Sequence, residues 1–509
     1  MAKIQGKRES MGRNCSEKVF NVVFLFVLVS VVGCLVVLMD GGGTRPVDSR
    51  SELGASGMLR KEETQQTATD KKNIDLPPIT PDDVIEYFSK WLHELHDLFV
   101  EQKGKESTFI ENWEGYFKLA ERTIYRWDQE EYLKRMPKRR YDDSIFLSLA
   151  SYRDENCLST ITNAFAKSKD SEKLFVGLVQ QNCFEECRSG VLEDAKVIDI
   201  EPDPDCHKLF CESESGRPHC DAGRVRVLRV NETESLGPYA ARFFASKLWG
   251  GEQWYMQIDS HMSFVQDWDA TSVKMLETAP SKKPVISHYP ASTENFEKQA
   301  KMKKPTSRLC GPAFCDPYND CSVIRLDGAA VYDKKYLPTP RFSPFVAGGY
   351  FIANSDFLRE VPFDPFLPWI FMGEEIIMSA RLWTHGYDMF SPSENVVGHI
   401  YVRRHKPKFW ETVHRVLGFG KYNPLSDFVV DRVKNLIKYP EAAADMLERK
   451  SILGHIEDYG MGSVRTVEQY LEMVGLDITK KIFYSETKWC EKGIPPPGFE
   501  EYDHLYSGN

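Results

Sequence analysis

The 509-residue chain has no Gly-x-Gly-x-x-Gly after its first strand-like segment, so the glycine turn that brings a backbone close to a dinucleotide pyrophosphate is missing. It has no Gly-x-Ser-x-Gly either, which leaves a serine hydrolase without its nucleophile elbow. Positive charge is in deficit: 65 Lys and Arg stand against 75 Asp and Glu, a formal net of −10, which argues against general nucleic-acid binding. Cys206-His207 and His219-Cys220 fit no standard zinc spacing. The chain shows no second set of Asp and His ligands of the kind a metal-dependent phosphohydrolase needs. Beyond residue 39 no long apolar run recurs.

The single long apolar run covers residues 19–39, with only Asn21, Ser30 and Gly33 interrupting it. It matches the ~20 residues that cross a bilayer as a helix. It exceeds a usual signal-peptide core and no small-residue cleavage site follows, so an uncleaved signal-anchor is expected. Lys3, Lys7, Arg8, Arg13 and Lys18 precede it, which assigns residues 1–18 to a cytoplasmic tail. Residues 40–78 mix Gly, Ser, Thr, Lys and Glu and read as a flexible stem. The layout predicts a single-pass type II protein of the Golgi or endoplasmic reticulum membrane with its catalytic part in the lumen. Ten of the twelve cysteines follow the anchor, an even number, in a compartment where disulfides persist. Disulfide-stapled loops are therefore expected, with the pairing left open. Asn231-Glu-Thr233 is the one lumenal glycosylation sequon.

Residues 79–140 form a helical segment. Val84, Tyr87, Phe88, Trp91, Leu92, Leu95 and Phe99 recur on one helical face, and Ile110, Trp113, Tyr116, Phe117, Ala120, Ile124 and Tyr125 make a second stripe. Such stripes pack against a core or against a sister chain, and the second choice would make a homodimer.

From residue 144 strand-like and helix-like segments alternate. Residues 144–153, 173–180 and 224–230 read as strands. Residues 155–169, after a capping Asp154, and 237–249, with Pro238 at the start, read as helices. The aromatic-rich stretch Gln253-Trp-Tyr-Met-Gln-Ile-Asp-Ser-His261 is a buried strand ending in polar residues. Alternation predicts a mostly parallel α/β sheet, whose ligands bind beyond the carboxyl ends of its strands. Arg153 and Asp259-Ser260-His261 fall there. Asp259 and His261 would point the same way along an extended chain, with Ser260 opposite. That pair suits a divalent metal with positions open for substrate. The plain alternative makes Asp259 a turn cap and His261 an ordinary loop histidine.

Ile145-Phe-Leu-Ser-Leu-Ala-Ser-Tyr-Arg-Asp154, Leu174-Phe-Val-Gly-Leu-Val-Gln-Gln181, Gln257-Ile-Asp-Ser-His261, Val346-Ala-Gly-Gly-Tyr-Phe351 and Pro368-Trp-Ile-Phe-Met-Gly-Glu-Glu-Ile-Ile-Met-Ser-Ala-Arg381 follow one another in order. Together they resemble the GlcNAc-transferase family that includes the protein-hydroxyproline N-acetylglucosaminyltransferases. That family is similar to the mucin-type polypeptide transferases, which carry Asp-x-His. The resemblance implies a GT-A catalytic domain over 141–405 with a helical extension over 406–509. It implies UDP-GlcNAc as donor, a protein or glycoprotein hydroxyl as acceptor, and retention of configuration. Asp259 and His261 would bind a divalent ion, Mn2+, and His399 in Val397-Gly-His399 would be the third ligand. Arg153 and Arg242 would line the nucleotide or its phosphates. Gly348 and Gly349 would let the backbone approach the sugar, and Glu374 or Glu375 would hydrogen-bond sugar or acceptor. Trp369 and Phe371 would form a stacking wall or, equally, pack in the core.

Adjacent Glu374 and Glu375 point about 100° apart on a helix, a poor acid–nucleophile pair for a glycosidase. The hydroxyproline enzymes are cytosolic, whereas this chain carries an anchor, so hydroxyproline, Thr and Ser all stay open as acceptors. GalNAc stays open beside GlcNAc as the donor sugar. The alternative from another class is a catalytically inactive, membrane-anchored carbohydrate-binding or scaffold protein.

Overall fold

The computed structural model describes residues 77–103, 109–187, 199–315, 321–326, 330–402, 408–409, 424–445, 450–484 and 488–494. The expected tail, anchor at 19–39 and stem up to residue 76 lie outside the described residues. Among the described residues no helix is long and apolar enough to cross a membrane.

Four strands form the heart of the fold: β1 (Ile145–Tyr152), β2 (Leu174–Asn182), β3 (Val225–Asn231) and β4 (Trp254–Asp259). The rest described are β5 (Met262–Phe264), β6 (Pro284–Ser287), β7 (Ala291–Ser292), β8 (Pro312–Ala313), β9 (Arg325–Leu326), β10 (Arg341–Phe342), β11 (Tyr350–Asn354), β12 (Asp388–Ser391), β13 (Val397–His399), β14 (Leu476–Asp477) and β15 (Ile482–Phe483). Eight of them make one sheet in the order β10-β12-β6-β11-β4-β1-β2-β3. β1 pairs in parallel with β2 and β4, and β2 with β3, while β11 runs antiparallel between β4 and β6. The sheet is therefore mixed and mostly parallel, as the alternation of segments predicts. β1, β2 and β4 are covered on both faces, which is why they read as near-continuous apolar runs.

A second, small sheet decides the site. β13 lies between β5 and β7, pairing antiparallel with the first and parallel with the second. His399 thereby faces Met262 in register, next to His261.

The helix Pro238–Lys247 is buried along its length, flanked by β1 and β2 on one side and by the N-terminal helices on the other. Phe88 from the helix Pro81–Lys103 meets Phe244 at 4.8 Å and Phe243 at 5.9 Å between ring centres. Tyr116 from Phe109–Ala120 meets Trp369 at 5.2 Å. The apolar stripes thus cover this chain's own core. Phe99 and Ile110 have side chains outside the described set. A buried ion pair joins Lys247 to Asp128, and Tyr459 donates to the same carboxylate at 2.8 Å. The N-terminal helices, the sheet and the C-terminal helices accordingly belong to one compact unit, Ile74–Asn509. The helical extension expected over 406–509 contributes, among the described residues, the helices Pro424–Leu436 and Pro440–Asp445.

All ten cysteines beyond residue 39 are paired: Cys157–Cys206, Cys183–Cys187, Cys211–Cys220, Cys310–Cys490 and Cys315–Cys321. His207, Cys211 and Cys220 lie close enough together for a metal, but the two sulfurs are bonded to each other and offer no thiolate. Disulfides replace zinc here, as expected from the spacing.

Candidate active site

β4 ends at Asp259, and the chain turns through Ser260 and His261 into β5. β13 returns 140 residues later and sets His399 Nε2 at 3.2 Å from Asp259 Oδ2. The His261 and His399 rings stand 4.6 Å apart between centres. One ligand atom from each of Asp259, His261 and His399 lies within 4.8 Å of the others. One carboxylate and two imidazoles converging from two elements suit a divalent ion that keeps positions open. Asp259 keeps 27% of its side chain exposed, and that opening faces the cleft.

Burial alone would raise the Asp259 carboxyl, but the hydrogen bond from His399 and the charges of Arg242 and His261 hold it well below the usual carboxylate range. Gly349 lies against it: a Cβ there would sit 2.6 Å from Asp259 Oδ2. The glycine expected to make room for sugar makes room first for the carboxylate.

Arg242 projects from Pro238–Lys247 and bridges two acids. Its Nη2 donates to Asp259 Oδ1 at 2.8 Å and its Nη1 to Glu374 Oε2. Glu374 and Glu375 open the helix Glu374–Thr384, which starts after Gly373 at φ 101°. The two carboxylates do diverge. Glu375 Oε1 accepts from the Gly348 N–H at 2.9 Å and its Oε2 from the Tyr289 hydroxyl at 2.7 Å. Glu374 Oε1 lies 3.4 Å from Gln257 Nε2, which also donates to the Gly348 carbonyl at 2.7 Å. Burial pushes the Glu374 carboxyl up to about 7, Arg242 pulls it down, and Glu375 and Asp259 add to the rise. Burial raises Glu375 as well, against its two hydrogen bonds.

These groups line one cleft of about 700 Å3. Tyr152, Gln181, Ser235 and Gly237 line it too, as do Arg242, Asp259 to His261, Tyr289, Gly348, Gly349, Phe371, Glu374, Glu375, His399 and Tyr401. A volume of this size holds a ligand larger than a simple sugar.

Of the residues singled out from the sequence, Asp259, His261, His399, Arg242, Gly348, Gly349, Glu374 and Glu375 come together in the cleft. Arg153 does not line it. Its guanidinium is buried and held by Asp203, Nε to Oδ2 at 2.7 Å, where the chain turns at φ 48° after β1. Trp369 is 3% exposed and packs on Tyr116, whereas Phe371 is 49% exposed at the cleft. Ser260 is 3% exposed yet also lines the cleft, and its Oγ donates to Asp154 Oδ2, the same oxygen that His261 Nδ1 meets. The chain has left β4 at Asp259, so the alternation expected of an extended chain does not hold there. Sequence reasoning missed Gln257, Tyr289 and Tyr401, and it missed that Asp154 Oδ2 accepts from Ser260 Oγ at 2.7 Å and lies 2.7 Å from His261 Nδ1. Gln257 had a signal, since it lies two residues before Asp259 and so on the same strand face. Tyr289 and Tyr401 had none, because their place depends on β7 meeting β13.

A mixed, mostly parallel sheet with an acid and two imidazoles converging beyond the end of its central strand defines a nucleotide- or metal-using α/β enzyme site. The family Glycosyltransferase (GlcNAc) matches residues 144–480, and the chain belongs to that family. A comparison with curated protein sequences finds no match. Among solved structures, one described as GalNAc-T7 with UDP, GalNAc and Mn2+ is 17% identical, with a TM-score of 0.39 over 66% of this chain and 57% of that one. The present chain therefore spans little more than half of that protein. S. aureus TarS in complex with UDP-GlcNAc is 11% identical, with a TM-score of 0.34 over 62% of this chain and 73% of that one. Similarities this distant assign no residue here.

Proposed function

We propose that the chain is a metal-dependent transferase of the GT-A type that moves N-acetylglucosamine from UDP-GlcNAc to a protein hydroxyl. The observation that carries this reading is the convergence of Asp259, His261 and His399 in a cleft of a chain belonging to a GlcNAc-transferase family. Their donor set, one oxygen and two nitrogens, fits Mn2+. A bound divalent ion would neutralise the charge that grows on the departing diphosphate.

The remaining work falls to the chain's own side chains. Arg242 holds the Asp259 carboxylate in place and screens Glu374 from it. Glu374 presents a carboxyl to the cleft for sugar or acceptor hydroxyls, and the Tyr289–Glu375 pair fixes the Gly348 amide. Among the described residues no carboxylate pair is placed as acid and nucleophile, which argues against a glycosidase-like double displacement. Residues 19–39 would anchor the enzyme as a type II protein of the Golgi or endoplasmic reticulum membrane. In that compartment Thr, Ser or secreted hydroxyproline is the acceptor.

The test is UDP release by residues 74–509 with UDP-GlcNAc or UDP-GalNAc, Mn2+ and Thr-, Ser- or hydroxyproline-containing peptides. Peptide-stimulated release with UDP-GlcNAc that is lost on chelation and in Asp259→Ala supports the reading. Release that Asp259→Ala leaves unchanged refutes the metal assignment. No UDP binding and no release with either sugar would return the chain to the carbohydrate-binding alternative.

A further inference from the structure

We propose that Asp154 is the positioning residue of this site: it holds the His261 proton on Nδ1 and so turns Nε2 toward Asp259 and His399. The inference rests on the metal reading above and names a residue outside the ligand set.

The argument begins with the chain path. β1 and β4 are parallel neighbours, with Ala150 opposite Asp259. After Tyr152 the backbone turns at Arg153, φ 48°, and brings Asp154 beneath the Ser260–His261 turn. The Asp154 side chain is fully buried. Its Oδ2 lies 2.7 Å from His261 Nδ1 and accepts from Ser260 Oγ at 2.7 Å. Its Oδ1 accepts from the Asn156 N–H at 2.9 Å and from Asn156 Nδ2 at 3.2 Å, so the carboxylate cannot swing. Thr160, one turn into the following helix, donates to the Ser260 carbonyl at 2.9 Å and accepts from the Met262 N–H at 3.0 Å. The turn that carries His261 is thus clamped on both sides.

A neutral imidazole has one donor and one acceptor nitrogen, and the hydrogen bond made by one decides what the other offers. A buried carboxylate against Nδ1 keeps the proton there and leaves the Nε2 lone pair for the ligand position. His399 has no such partner: its Nδ1 is buried without a hydrogen bond. The site is therefore asymmetric, with His261 pre-oriented and His399 placed by its strand. The helix-capping role expected of Asp154 from sequence is not what the fold uses: Asn156 is the N-cap, Asp154 Oδ1 holds that residue's N–H and amide, and Oδ2 serves the site.

The experiment uses the full-length chain and Mn2+ followed by electron paramagnetic resonance. Asp154→Asn keeps an oxygen and the shape but loses the charge and sets an NH2 against donors. The metal-free unfolding temperature should therefore fall while the chain stays folded, and metal affinity should fall 10- to 100-fold. Asp154→Glu should recover part of that loss. A folded Asp154→Asn chain that binds Mn2+ as the wild type does overturns the proposal. The wild-type 15N-histidine spectrum without metal at pH 8 gives an independent readout if the variant does not fold. Proton on Nδ1 of His261 supports the assignment, and proton on Nε2 overturns it. A wild-type chain that binds no Mn2+ overturns the metal reading, and this inference with it.

Discussion

Gly349→Ala is the smallest change that strikes the site directly. The added Cβ would stand 2.6 Å from Asp259 Oδ2 and 3.3 Å from its Cγ. That is roughly 0.5–1 Å inside the distance at which such atoms pack. The backbone has little room to retreat, because Gly349 O accepts from the Asp259 N–H at 3.2 Å and β11 continues the ladder with Tyr350 opposite Ile258. The carboxylate must move instead, and it is held by Arg242 at 2.8 Å on one oxygen and faces His399 at 3.2 Å on the other. A shift of ~0.7 Å would break one of these contacts. Overpacking of this kind costs about 1–3 kcal/mol of stability. A misplacement near 1 Å at a reacting centre costs on the order of 100-fold in rate. Mn2+ titration, UDP release and thermal unfolding of the variant would be compared with wild type. A Gly349→Ala chain with wild-type metal affinity and turnover would refute the claim that this glycine exists to seat Asp259.

Arg242→Met should leave the Asp259 and Glu374 carboxylates facing each other and lower metal-free stability by about 3–5 kcal/mol, measured by denaturant titration. Arg242→Lys should fall between the two, since one ammonium cannot fork to both acids; a loss below about 1 kcal/mol for Met would contradict the bridging role. Burial drives the His288 pKa down to about 3 from an ordinary 6.5. The unfolded chain then binds the extra proton between those values, so His288 favours the fold above pH 6.5 and that contribution is lost as pH falls toward 3. His288→Met should flatten the decline in unfolding free energy between pH 6 and 5 by about 1 kcal/mol per pH unit, and identical slopes would refute it. Cys310–Cys490 closes a loop with a sequence separation of 180. Replacing both by Ala should lower stability by about 5 kcal/mol on a chain-entropy account, read as a fall in unfolding midpoint; an unchanged midpoint would mean that other contacts hold the C-terminal segment.

The sequence alone determined what depends on local order. Period and composition carried the alternating core, because a strand buried on both faces must be apolar throughout. Asp259 and His261 were legible as a pair from their spacing at a strand end, although the turn after β4 rather than strand alternation brings them together. The helical stripes were legible for the same kind of reason, but their target was not. Only the fold showed that Phe88 and Tyr116 cover Phe244 and Trp369 of the same chain. Tertiary structure alone decided the partners of each charge. Arg153 and Arg242 look alike in the sequence, yet the turn after β1 buries one against Asp203 while a buried helix aims the other at Asp259 and Glu374. The contacts of Tyr289 with Glu375 and of Asp154 with His261 were invisible because they span 86 and 107 residues. Spacing along a chain fixes which side chains share a face; which faces meet is set by the packing of the whole sheet.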